Sequence, residues 1–163
     1  MSIDSHIREA DSADIHLLAG LIRASFQDVA VRFHLTAENC PNHPSNCSEE
    51  WIERDLARGI FYYILESNGN PVGCIALEKA QADIIYLERL GVLPGCRRNG
   101  FGRALVEHFI TAARTLGAQE ISIGIIAGHT ELKQWYQKLG FVERETKEFS
   151  HLPFLVTFMT YEL

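Results

Sequence analysis

Apolar positions Ile15, Leu18, Leu21, Ile22 and Phe26 recur at intervals of three and four, the period of a helix with one buried face. Asp11 can cap it and Asp14 sits in its first turn, so the spacing predicts an amphipathic helix over 12–27, after a short strand at 6–9. A second helix is expected over 49–58, with Trp51, Ile52 and Leu56 toward the core and Gly59 as its stop. The period then shortens. Segments 61–66 and 72–77 flank Ser67-Asn68-Gly69-Asn70, a hairpin turn because Asn and Gly both tolerate positive φ, and 84–92 extends an antiparallel meander. Helical spacing returns at Leu105, Phe109, Ala112, Ala113 and Leu116, giving a helix over 100–116 closed by Gly117. A strand at 120–127, a helix at 130–139 stopped by Gly140, and strands at 141–148 and 154–161 follow. The expected class is α/β, a mixed, mostly antiparallel central sheet of six to seven strands flanked by about four helices, in a single domain over 1–163.

Composition narrows the function. An apolar share of 47% and a charged share of 22% fit a globular chain of 163 residues with a real core, not a disordered or fibrous one. The formal charge of -6 argues against nucleic-acid binding, which needs a basic face. It also points weakly toward a cationic substrate. The densest basic cluster, Arg97, Arg98 and Arg103 with Arg89 nearby, reads as a site for one compact anion. The first residues lack a secretory pattern and no stretch reaches the roughly 18 apolar residues of a membrane span, so a cytoplasmic location without membrane contact is expected.

Residues 34–48 are turn-rich and polar, the longest irregular stretch, and such segments on rigid scaffolds often shape binding sites. Cys40, His43 and Cys47 are of types that bind zinc, but the spacing supplies three ligands without an obvious fourth, and only His34 or water could complete the set. No metal is expected, and a reducing compartment disfavours a disulfide. The two prolines suit a stiffened wall for a substrate pocket. Cys74 reads as a buried thiol in a strand.

The chemistry concentrates in LGVLPGCRRNGFGRALVEHF. A strand runs out at Val92, a turn with Pro94 and Gly95 follows, and Gly100 and Gly102 open a helix. The first turn of such a helix has free N–H groups, and glycines let an anion approach them. Arg97 and Arg98 stand at the same edge, where they can add charge-assisted contacts. The segment lacks the Lys-Ser/Thr of a nucleotide P-loop and the first glycine of a dinucleotide fingerprint. A plain turn with solvated arginines is the competing reading.

Val92, Pro94, Arg97, Gly100 and Gly102, with Ala104, Leu105 and Phe109 on the helix, resemble the central motif of the GCN5-related N-acetyltransferases. Cys96 stands where that family often has Tyr, and Asn99 where it often has a basic residue. The resemblance implies an acyl-CoA N-acyltransferase fold and acetyl-CoA as cosubstrate. It implies that backbone groups of Leu90, Gly91 and Val92 hold the pantetheine arm, and that the amides of Arg97, Arg98, Asn99, Gly100, Phe101, Gly102 and Arg103 hold the diphosphate.

HTELKQWYQKLGFVE resembles the same family's second motif. Leu132, Trp135 and Leu139 form an apolar stripe. Tyr136 matches the tyrosine that serves similar enzymes as general acid beside the coenzyme sulfur, while His129 and Leu132 replace a usual Asn and Ala. His129 is thereby carried over as a cofactor contact, and packing beside Trp135 is the plainer reading of Tyr136. For the base that takes the amine proton, Glu88 comes first, because it interrupts an apolar strand and alternates with Leu90 and Val92. Glu78 and His129 are rivals, and an ion pair of Glu88 with Arg89 is the alternative. His151 is a further polar contact for the acceptor. The expected reaction is direct transfer of acetyl from acetyl-CoA to a primary amine of a small molecule in a ternary complex. The alternatives are a protein lysine or N-terminal amine as acceptor, or acyl-CoA binding without turnover. A homodimer is left open by the apolar C-terminal strand.

Overall fold

A computed structural model describes residues 4–163. Its elements run in the order β1 (Ser5–Glu9), α1 (Ile15–Arg32), α2 (Glu49–Ala57), β2 (Phe61–Ser67), β3 (Asn70–Lys79), β4 (Ile84–Val92), α3 (Phe101–Thr115), β5 (Glu120–Ile126), α4 (Thr130–Lys138), β6 (Val142–Lys147) and β7 (Val156–Glu162). The seven strands form one sheet in the order β1-β2-β3-β4-β5-β7-β6, antiparallel at every ladder except β4–β5. The expected mixed sheet with four helices is therefore what the chain forms.

Two apolar layers follow from strand alternation. Tyr63, Leu65, Ile75, Leu77 and Leu87 point to one face and pack with Leu105, Val106 and Phe109 of α3. Tyr62, Ile64, Cys74 and Ala76 point to the other, under Leu18 and Ile22 of α1 and Ile52 of α2. Helix α1 continues to Arg32, beyond the expected end at residue 27, because Ala30 packs with Leu35 and Cys40 in a third small cluster. Among the described residues no helix is long and apolar enough to cross a membrane.

Two irregularities in β4 shape everything that follows. Cys74 pairs with Gly91 and Ala76 with Glu88, so Ile75 alone faces both Arg89 and Leu90, a bulge with Arg89 at φ 50°. On its other edge β4 pairs with β5 only at Ile84↔Glu120, Ile85↔Ile121 and Tyr86↔Ser122. Past Tyr86 the two strands part, although β4 keeps β3 as far as Val92 and β5 keeps β7 as far as Ile126. The parting opens a cleft with free strand edges inside it, the kind of backbone that pairs with an extended amide-containing ligand.

Candidate functional site

The turn after β4 is built for unmet donors. Arg98 and Gly100 adopt positive φ, 66° and 79°, and α3 begins after Gly100 with no side-chain cap and no acidic residue in its first turn. Cys96 and Arg97 donate their N–H groups back to Leu93 and Pro94, and Ala104 donates to Gly100. Between them, among the described residues, the N–H groups of 98–103 have no acceptor. Six neighbouring donors at a helix start, with glycines at 100 and 102 in the path of approach, fit a diphosphate. Gly102 also admits Trp135, since a Cβ there would lie 3.2 Å from the indole.

The basic cluster of the sequence is dispersed in three dimensions. Arg97 turns back to α1, donating to Asp28 and, at 2.8 Å, to the Ser25 carbonyl, while its Nε meets the Val92 carbonyl at 3.0 Å. Its side chain fastens the end of β4 to α1 instead of extending toward an anion, and it holds the Asp28 carboxyl below its usual range. Arg103 pairs with Glu107 at 2.9 Å. Arg89 points to α2, where it pairs with Asp55. Of the four, Arg98 alone has no ion-pair partner among the described residues.

Two buried polar atoms among the described residues are orphaned. His129, at the start of α4, has a buried Nδ1 without a partner, and burial followed by the nearby Arg32 holds its imidazole below the ordinary value. Ser25 Oγ is likewise buried and unpartnered. It lies against Gly91, where a Cβ would come within 2.7 Å of the serine Cβ; only glycine lets α1 and β4 approach so closely. Sequence reading missed Ser25, which looks like any polar residue in an amphipathic helix.

Tyr136 is buried at 4% exposure, edge-on to Trp135 at 5.0 Å and to Phe141 at 5.2 Å. Burial alone lifts its phenol above the usual range, and its hydroxyl has no hydrogen bond among the described residues. Glu88 pairs with Ala76 across the β3–β4 ladder, and Glu78, two residues on along β3, is its diagonal neighbour. Burial first, then that neighbouring carboxyl, push its acid up to about 8. Glu88 is not paired with Arg89, since the bulge sends that guanidinium to Asp55.

The irregular 34–48 segment folds down onto α1 and α2. Cys40, His43 and Cys47 are all buried, and the cysteines are free thiols. His43 Nδ1 lies 2.8 Å from Ser45 Oγ and its ring stands edge-on to Phe26. Only Asn42 of this segment reaches a cavity that Trp51, Asp55 and Arg89 also line. His151 lies exposed, near Phe149.

Known proteins share both sequence and shape with this chain. The family model described as acetyltransferase (GNAT) family matches residues 21–141. An amino-acid acetyltransferase of Neisseria meningitidis serogroup A is 32% identical over 136 residues, covering 83% of this chain and 27% of that protein. The chain thus spans about a quarter of the length of the curated relatives it matches. The crystal structure of PaiA N-acetyltransferase from Thermoplasma acidophilum in complex with coenzyme A superposes with a TM-score of 0.81 at 20% identity, covering all of both chains. N-acetylglutamate synthase from Neisseria gonorrhoeae, complexed with coenzyme A and N-acetyl-glutamate, gives 0.70 at 25% identity, over 100% of this chain and 36% of that one.

Proposed function

This chain belongs to the acetyltransferase (GNAT) family, and from that premise we propose that it transfers the acetyl group of acetyl-CoA directly to a primary amine of a small molecule within a ternary complex. The observation that carries the reading is the run of unmet N–H donors over 98–103 beside the parted strands β4 and β5.

Acetyl-CoA supplies an activated thioester, whose C–S bond breaks as the C–N bond of the product forms. The chain's own residues bind and manage protons. Amides of 98–103 hold the diphosphate, helped by the helix macrodipole. The free β4 edge at Leu90, Gly91 and Val92 pairs with the pantetheine arm, and a backbone N–H there polarises the thioester carbonyl. His129 offers its orphaned Nδ1 to the same arm. Glu88 takes the amine proton, directly or through water, and the Tyr136 hydroxyl gives a proton to the leaving sulfur. A small acceptor is supported by the relatives named for acetylation of amino acids and by a cavity of about 460 Å³ beside the bulge, the size of a metabolite site.

Transfer is tested by incubating the protein with acetyl-CoA and a panel of small amines and basic peptides, with acetylated product read by mass. Product from small amines and none from peptides supports the reading, whereas a protein that binds coenzyme A yet acetylates nothing overturns it. The base has its own signature. A carboxyl that must be ionised to act makes kcat/KM rise with pH, with an inflection near its raised value of about 8. Glu78→Gln removes the like charge that helps hold the proton on, so the inflection moves to lower pH. An inflection indifferent to Glu78→Gln removes Glu88 from the role.

A further inference from the structure

Between α2 and the bulge of β4, the cavity is lined by Asn42, Trp51, Arg54, Asp55, Arg58 and Arg89. Three guanidinium groups meet one carboxylate there, in a chain whose formal charge is -6. Asp55 is saturated: Arg58 Nη2 donates to Oδ1 at 2.8 Å, the Tyr62 hydroxyl donates to Oδ2 at 2.6 Å, and Arg89 Nη1 closes on the same oxygen. Arg58 has a further, longer contact to Glu78, 3.4 Å. Arg89 bonds only through Nη1, and its guanidinium stands 5.6 Å from the centre of the Trp51 ring. The Arg54 side chain has no hydrogen bond or ion pair among the described residues. The wall therefore presents unused guanidinium donors, fixed from below by a buried acid and flanked by an aromatic plate.

Resting on the acetyl-transfer reading, we propose that this cavity is the acid-binding half of the acceptor site, so that the acceptor is an amine that also carries a free carboxylate, an amino acid. A planar carboxylate matches the fork of donors that guanidinium groups offer, and partial burial strengthens each contact. A polyamine or another cationic amine meets repulsion from the same three residues. The location suits the chemistry. Arg89, which lines the cavity, directly precedes the 90–92 backbone that the transfer reading assigns to the pantetheine arm, so the proposal places the acid half next to the amine half. The αL conformation of Arg89 is what aims this side chain at α2. Net charge misleads here: the chain is acidic overall, and the cavity is basic.

The test compares proteinogenic amino acids with their methyl esters and their decarboxylated amines as acceptors. In parallel, calorimetry measures amino-acid binding to protein saturated with coenzyme A. Free acids are turned over at least about 10-fold more efficiently than the matched esters and amines, and Arg54→Gln raises KM for the acids about 10-fold and narrows that acid-over-ester ratio, with KM for acetyl-CoA changed by less than about two-fold. Equal turnover of acid, ester and amine overturns the acid half and leaves the transfer reading standing. Amino-acid binding that Arg54→Gln weakens, without turnover of any amine, supports the cavity and removes the transfer reading. The absence of both amino-acid binding and acid preference overturns the proposal.

Discussion

Replacing Tyr136 by Phe is expected to lower kcat about 100-fold, the low end of what a positioned general acid contributes, with KM for acetyl-CoA changed by less than about two-fold. The ring is held by Trp135 and Phe141, contacts that phenylalanine keeps. The hydroxyl has no partner among the described residues, so its loss breaks no bond of the fold and the melting temperature stays where it is. A phenol buried in apolar surroundings keeps its proton through neutral and mildly alkaline pH. Hence it can donate to a developing thiolate at any pH where Glu88 is ionised, and the deficit of the variant is the same across that range. Parental turnover by Tyr136→Phe, measured with saturating acceptor, reduces Tyr136 to a packing residue.

The largest stability effect is expected at Asp55. It is 3% exposed and joins the Tyr62 hydroxyl, Arg58 and Arg89, tying α2 to β2 and to the bulge of β4. Arg58 is largely exposed and can turn to water, but Arg89 is mostly buried. Asp55→Ala therefore strands a buried guanidinium and a buried phenol together. Breaking such a pair from one side costs about 3 to 5 kcal/mol, roughly 10 °C of melting temperature for a domain of this size. Adding Arg89→Met to Asp55→Ala removes the stranded charge and recovers part of the loss, a non-additivity readable by urea denaturation of the four variants of the cycle. Additive losses mean that the charge pair is not the cause.

Much of the architecture could be read from periodicity because each element obeys a single rule. Strand β4 matches its expected bounds at both ends, and α3 carries a clean apolar stripe stopped by glycine. Helix α1 was read five residues short because its last turn shows no stripe: Val31 is 68% exposed and only Ala30 points inward. Side-chain destinations were the harder part. Arg97 finds Asp28 across 69 positions of sequence, a pairing that no local spacing announces. Arg89 looked like one more member of a basic cluster, because the bulge that reverses it exists only once β3 and β4 are in register. The arginines and Asp55 of α2 were hidden for a related reason. On a helix read for its apolar face, a buried acid beside Leu56 carries no signal of its own until the strands beneath it supply partners. The backbone donors after β4 were legible, since the glycines and the helix start suffice to leave them unmet.

Those donors can be watched directly by titrating coenzyme A into isotope-labelled protein and following backbone amide resonances. Gripping a diphosphate moves the N–H signals of 98–103 downfield and slows their exchange with solvent, whereas pantetheine, which lacks the diphosphate, perturbs 90–92 and leaves 98–103 in place. Saturating coenzyme A with the 98–103 signals unmoved would mean that the turn holds no phosphate, and the proposed site would fall with it.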